Sequence, residues 1–290
     1  MRRFMRQNAT SPFQTAPFPT PYKYTISSTS LLESKSTTAP VLAIIPAQTR
    51  VQVIDGAEDW YQIIYDYQTG YVPTSALSIT EYTWRNTVLR SYPDAQTLSI
   101  ATVPAKSEVQ VLSVTGNWSY VVFNTQKGYI FNDFLTDDGN PPDDYNFTYF
   151  TTDMTRFVNE NEVKSPTSNL LTTDLENKLT YVFNLASNNT WNLLYTWSCD
   201  VGKPTTPTIR GTFYINGRKP YFGSESYRVK YATRILESYY YHSILFTPDG
   251  KEILDDTLGA AITHGCIRLA VENAQWIYGN ILDSTAVIIN

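Results

Sequence analysis

Alternating apolar and polar positions dominate the first half of the chain. In "RVQVI", Val51 and Val53 fall on one side of a period of two, which predicts a half-buried strand. "WYQIIYDYQTGYV" then reads as a strand, a Gly-containing turn and a second strand. The pattern returns without a gap at an offset of 58, where "IPAQTRVQVIDGAEDWYQIIYDYQTGYVPTSAL" aligns with "VPAKSEVQVLSVTGNWSYVVFNTQKGYIFNDFL". Pro46 matches Pro104, Val51 matches Val109, Val53 matches Val111 and Trp60 matches Trp118. Gly70, Tyr71 and Leu77 match Gly128, Tyr129 and Leu135, and Tyr24-Thr25 recurs as Tyr82-Thr83. The repeat predicts two all-β units at 24–79 and 82–137, each with a small core, behind a tail at 1–23.

Beyond 137 the texture changes. "TDDGNPPDD" is turn-rich and acidic, and 138–167 reads as a linker. Within it, "TDMTRFVNENEV" predicts a short helix with Thr152 or Asp153 as its N-cap. From 168 the strand pattern resumes. "NLLTTDLENKLTYVFNL" predicts a hairpin turning at "DLENK", and "NTWNLLYTWSCDVGK", "GTFYING" and "ILESYYYHSILF" add further strands. In "AVENAQWIYGNI", Ala270, Ala274, Ile277 and Tyr278 recur at helical spacing, and "STAVIIN" reads as a closing strand. The predicted fold class is mainly β: two small units, then a β-rich domain at 168–290 with one main helix.

Composition agrees with that plan. The chain of 290 residues has 22 Tyr, 13 Phe and 6 Trp, side chains that favour strands. A formal charge of −5 with no basic stripe argues against a nucleic-acid partner. No apolar run approaches the ~20 residues of a membrane-spanning helix. The start carries Arg2, Arg3 and Arg6, like the first part of a secretory signal, but no apolar segment follows. Its Pro, Thr and Ser instead predict an extended or disordered arm, and no signal peptide is visible.

The candidate chemistry is sparse and concentrated. Two cysteines are too few for a disulfide scaffold, and both histidines lie within 24 positions of Cys266. A free thiol is only a few per cent thiolate at neutral pH, so a nucleophilic cysteine needs a base within hydrogen-bond reach. His242 in "SYYYHSILF" and His264 in "ITHGCIRL" both qualify by position. Gly265 allows a tight turn before the cysteine, and a helix beginning soon after it would turn backbone donors towards the site. Two other readings stay open from the residues alone: an inert buried cysteine with structural histidines, and a metal site, for which H-x-C is a poor zinc signature.

The two repeats resemble the bacterial SH3-like domain, with its "V.V" strand, its "W" strand and its "GYV...L" ending. "THGCIRL", preceded by "HS", resembles the active-site motif of the L,D-transpeptidase family with the YkuD-type catalytic domain. "DLENKLTYVF", "CDVGKPTTPTIRGTFYI" and "ENAQWIYGNILDSTAVII" are similar to other segments of that family, so the resemblance spans about 168–290. Ile209 and "DST" depart from it, and the separation of His242 from Cys266 is longer than in many members.

The resemblance implies roles. Cys266 is the expected nucleophile, His242 the general base, and Ser243 the residue whose carbonyl orients that base. Amides around Gly265 and Cys266 are expected to hold the oxyanion, with Thr263 and His264 shaping the loop beside the chemistry. Arg268, Thr263 and Tyr241 are the expected substrate contacts, Arg268 having a loop-bracing salt bridge as its alternative. Cys199 is expected to be free and buried. No cofactor and no metal are implied. The implied activity is transpeptidation on peptidoglycan stem peptides, both donor and acceptor, forming 3→3 crosslinks in the envelope of a bacterium, with the SH3-like units holding cell wall. The alternatives are L,D-carboxypeptidase action on the same stems, or a wall-binding protein without turnover.

Overall fold

The computed structural model describes residues 22–57, 59–142, 150–151 and 153–290. Most of the expected tail, part of the expected linker and the candidate cap Thr152 lie outside these residues. The chain separates into two compact units. The first runs to Thr80 and takes in Gln110–Ser113; the second holds Glu81–Val109 and Val114–Asn290.

The first repeat is a six-stranded antiparallel sheet ordered Tyr22–Tyr24, Arg50–Ala57, Trp60–Tyr65, Gln68–Pro73, Thr29–Leu32, Val41–Ile45. Its core is Leu31, Ile45, Val51, Val53, Ile63, Val72 and Leu77, so the alternation in "RVQVI" is the burial pattern. The second repeat orders its equivalent strands the same way, Glu108–Thr115 beside Trp118–Phe123 beside Gln126–Phe131. The repeat extends to single hydrogen bonds. Thr25 Oγ1 donates to the Pro46 carbonyl and Thr83 Oγ1 to the Pro104 carbonyl, each at 2.6 Å. The hairpin turns sit at Asp66-Tyr67 and Asn124-Thr125, all four at positive φ. Gly70 and Gly128 are not in those turns, against the expectation. They lie in the following strands, where a Cβ would come within 2.7 Å of Leu31 or 2.6 Å of the Arg90 carbonyl. These glycines are there for close packing.

From 169 onward two sheets enclose a shared core. The first is ordered Trp191–Ser198, Leu179–Leu185, Asn169–Asp174, Ala286–Ile289, Gly211–Tyr214. The predicted hairpin is present, and the Asp174 carboxylate accepts from the Glu176 and Asn177 amides across its turn. The second sheet is ordered Ile253–Asp255, Leu245–Phe246, Arg228–Leu236, Tyr239–Ser243, Ile267–Leu269. Helix α2 (Val271–Asn280) buries Ala274 and Ile277 against it.

The expected linker is corrected in its second half. Helix α1 (Met154–Glu160), capped by the Asp153 carboxylate, buries Met154, Phe157 and Val158. Asn159 Oδ1 accepts from the Trp191 amide at 2.8 Å, and Trp191 Nε1 donates to the Val163 carbonyl at 2.6 Å. Ser165 Oγ accepts from the Ala286 amide at 3.0 Å. These are packing roles within the β-rich domain, invisible to a reading based on polar composition.

Candidate active site

The site is built where strand Tyr239–Ser243 runs parallel to Ile267–Leu269. The register pairs Tyr241 with Ile267, His242 with Arg268 and Ser243 with Leu269. Paired residues of a parallel ladder point to the same side, and successive residues to opposite sides. His242 and Arg268 therefore share one face, while Cys266 precedes the ladder in a bend. Tyr241, Ile267 and Leu269 share the other and enter the core.

His242 is buried, with Nδ1 2.7 Å from the carbonyl oxygen of Ser243 and its ring edge-on to Phe222. A carbonyl can only accept, so Nδ1 carries the proton and Nε2 has a free lone pair. Burial lowers the imidazole pKa to about 4; the Ser243 bond opposes that shift and the Arg268 charge adds to it. The ring is thus neutral at pH 7. Cys266 is half-buried, and its Sγ–H donates to the Ser238 carbonyl at 3.4 Å. Burial pushes its thiol up, against a hydrogen bond from the Tyr240 backbone. At neutral pH the imidazole is therefore neutral and the thiol protonated. Cys199 is free and buried in the core, its thiol pushed up to about 12 by burial.

Residues 264–266 form a bend between Ala261–Thr263 and Ile267–Leu269. Gly265 has φ +112°, and a Cβ there would lie 2.7 Å from the Tyr239 ring, so the position requires glycine. Thr263 Oγ1 donates to the Cys266 carbonyl at 2.6 Å and accepts from the Gly265 amide at 3.2 Å. The segment after Cys199 clamps the bend from outside. The Lys203 amide and Thr206 Oγ1 both donate to the Thr263 carbonyl, at 3.1 Å each. His264 is exposed, with Nε2 3.3 Å from Lys203 Nζ.

Several expectations are corrected. Tyr241 is fully buried with its hydroxyl 2.8 Å from Thr173 Oγ1, so it does not reach a substrate. Thr263 is buried and spends its hydroxyl inside the bend. The Gly265 amide, expected to donate to an oxyanion, is engaged by Thr263. Arg268 takes its bracing alternative: its buried guanidinium lies 3.1 Å from Asp200 and 2.7 Å from Asp255. Two hydrogen bonds from Thr257, then Arg268, hold Asp255 down to about 2, whereas burial pushes Asp200 up. Helix α2 starts only after the strand Ile267–Leu269, so its N-terminus is not at the cysteine. Asp200 and Asp255 were not singled out from sequence. Asp255 arrives on the long segment between His242 and Cys266, whose short hairpin Leu245–Phe246 and Ile253–Asp255 delivers it.

Comparison with known proteins gives the following matches. Residues 168–289 match the L,D-transpeptidase catalytic domain, and 27–78 and 85–136 each match the bacterial SH3 domain. YciB of Bacillus subtilis (strain 168), named as an inferred L,D-transpeptidase, is 35% identical over 109 residues. That match covers 34% of this chain and 56% of the relative, so the chain spans little more than half the length of the curated relative. Among solved structures, a fused Zn-dependent amidase/peptidase/peptidoglycan-binding domain-containing protein from Clostridium acetobutylicum is 30% identical. It covers 56% of this chain and 77% of its own, with a TM-score of 0.38. An L,D-transpeptidase from Mycobacterium smegmatis is 18% identical, over 72% of this chain and 78% of its own, also with a TM-score of 0.38.

Proposed function

The chain belongs to the L,D-transpeptidase family through residues 168–289, with two bacterial SH3 domains ahead of them, and on that premise we propose that Cys266 and His242 carry acyl transfer between peptidoglycan stem peptides. The observation that supports the reading is Nδ1 of His242 held by the Ser243 carbonyl, on a strand parallel to the one that begins directly after Cys266.

The sulfur attacks the carbonyl at the L-centre of the donor's diamino acid while its proton passes to His242 Nε2. The tetrahedral intermediate collapses, its C–N bond breaks, and the leaving D-amino acid takes the proton from His242. A thioester on Cys266 remains. The side-chain amine of an acceptor stem attacks it, gives a proton to His242, and releases a 3→3 crosslink with the thiol restored. The amide of Cys266 is the proposed oxyanion donor, because Thr263 occupies that of Gly265. Thr263 and the clamp from Lys203 and Thr206 hold the bend. Arg268 acts through the fold, tying the nucleophile's strand to Asp200 and Asp255. The SH3 units would keep the enzyme on wall material in the cell envelope.

Incubation with defined tetrapeptide stems, followed by mass spectrometry, tests the reading. Crosslinked dimers are expected. Trimmed tripeptides alone would support L,D-carboxypeptidase action, in which water captures the same thioester. Unchanged stems would contradict both.

A further inference from the structure

The base is covered by one side chain of a neighbouring hairpin. Strand Arg218–Gly223 pairs antiparallel with Arg228–Leu236, off the main order of the second sheet. The register sets Tyr221 opposite Lys230 and Phe222 opposite Val229. Val229 is fully buried and Tyr221 is 55% exposed, so alternation turns Phe222 inward. Its ring centroid lies 5.5 Å from that of His242, at 87°, and 5.2 Å from that of Tyr240. Tyr240 and His242 stand two positions apart on strand Tyr239–Ser243, so one phenyl ring covers both.

The hairpin fixes where that ring sits. The Ser224 amide donates to the Tyr227 carbonyl at 2.9 Å, and Ser224 Oγ accepts from the Ser226 amide at 3.2 Å. At Gly223 there is no room for a Cβ beside the Tyr227 carbonyl. The Lys230 amide donates to Ser243 Oγ at 2.8 Å, which ties the hairpin to the residue that holds His242 Nδ1.

Burial separates the two rings. His242 is buried, whereas Phe222 is half-buried. The phenyl ring is therefore the layer between the imidazole and solvent on that side. Under such a cover a protonated imidazole loses hydration that a neutral one needs far less. The charges on the elements packed around it are Arg268, itself held by Asp200 and Asp255, and Lys219 and Lys230 of the hairpin. Lys219 Nζ lies 5.4 Å from the Tyr240 ring centroid and Lys230 Nζ 3.7 Å from that of Phe246. The other titratable neighbours are the Cys266 thiol and the Tyr240 hydroxyl. A substitution at Phe222 removes none of these groups, so it isolates the access of water.

Resting on the function proposed above, we propose that Phe222 is a positioning residue for the reaction: it excludes water from His242 and keeps the imidazole in the neutral form that accepts the Cys266 proton.

The test reads the ring directly. The chain has two histidines, so His264→Ala leaves a single imidazole for NMR titration of the full chain. In that parent the ring is expected to stay neutral down to about pH 5, in keeping with a midpoint of about 4. Phe222→Ala should bring the midpoint up to between about 5.5 and the ordinary value of about 6.5. Phe222→Leu, which restores an apolar cover, should again stay neutral down to about pH 5. Carbapenem labelling by Phe222→Ala, relative to the parent, should fall at least about threefold between about pH 7.5 and about pH 5.0 as the base takes up a proton. A lower Tm with midpoint and labelling profile unmoved would make Phe222 a packing residue only and overturn the proposal. So would a parent midpoint near about 6.5, or a Phe222→Leu midpoint as high as that of Phe222→Ala. If Phe222→Ala does not fold, Phe222→Thr, which keeps a strand-favouring side chain, takes its place. The two readings fail separately. Labelling with an unmoved midpoint overturns the cover alone, and a raised midpoint in a chain that a carbapenem never labels overturns the proposed chemistry alone.

Discussion

The two SH3 repeats share a backbone down to individual hydrogen bonds, yet all of the second except Gln110–Ser113 belongs to a different compact unit from the first. Thr25 and Thr83 make the same bond to a proline carbonyl, and Gly70 and Gly128 fill the same tight position. What differs is one side of the barrel. In the second repeat Phe134 packs edge-on against Tyr214 of the catalytic domain at 4.8 Å, and Arg85 lies over the same ring. In the first repeat the equivalents are Ala76 and Ser27, too small to reach a neighbour that way. A repeat separates what a fold needs from what a contact needs. Positions held in both copies are frame, and positions changed in one copy mark where that copy meets something else.

The largest expected effect tests that split. Phe134→Ala removes a buried ring from the second unit and should cost about 3–5 kcal/mol. Calorimetry should place the loss in the transition shared by the second repeat and the catalytic domain, leaving the first unit's transition unmoved. A shift of both transitions would contradict the division into units.

Next comes pH. Both histidines lie in the second unit, so only that unit should carry the His242 effect. The folded pKa, lowered to about 4, lies below the ordinary 6.5, so the unfolded chain binds the proton first. The contribution is complete above about pH 6.5 and lost as pH falls towards about 4, a loss of about 3 kcal/mol for this buried ring. Urea unfolding at stepped pH should show that slope in the second unit and its absence in His242→Asn. An equal slope in the variant would mean that other groups carry it.

The smallest effect is a matched pair. Thr25→Val and Thr83→Val each remove one hydrogen bond to a carbonyl and an acceptor for a nearby amide, at about 1–3 kcal/mol each. The two costs should agree, each within its own transition. Unequal costs would show that the shared frame is not equally stressed.

What the sequence made legible follows from local rules. The repeat, the hairpin at Asp174 and the helix after residue 270 all come from periodicity or a compact motif. What it hid depends on non-local pairing. Strand alternation would have excluded Tyr241 once His242 was taken to face the site, because neighbours in a strand point opposite ways. The bracing salt bridge of Arg268 stood as an alternative, but its partners could not be read, since Asp200 and Asp255 come from separate segments and nothing in the chain marks them as a set. The role of 154–167 was hidden because Asn159, Ser165 and Thr167 bury their polarity against partners that only the fold supplies. Gly70 looked like a turn residue because glycine signals both turns and close packing.

The central claim is that His242, and not His264, takes the proton from Cys266. The direct measurement is the rate of covalent labelling by a carbapenem, followed by intact mass from about pH 5.5 to 9.5, for His242→Ala and His264→Ala. The account predicts a fall of about 10²-fold or more at neutral pH for His242→Ala, recovering as pH rises and the thiol ionises without a base. It predicts a near wild-type profile for His264→Ala, whose exposed ring meets only Lys203 among the hydrogen bonds described. A His264→Ala rate that collapses at neutral pH and is restored by alkali, beside a labelling rate in His242→Ala close to wild type, would contradict it.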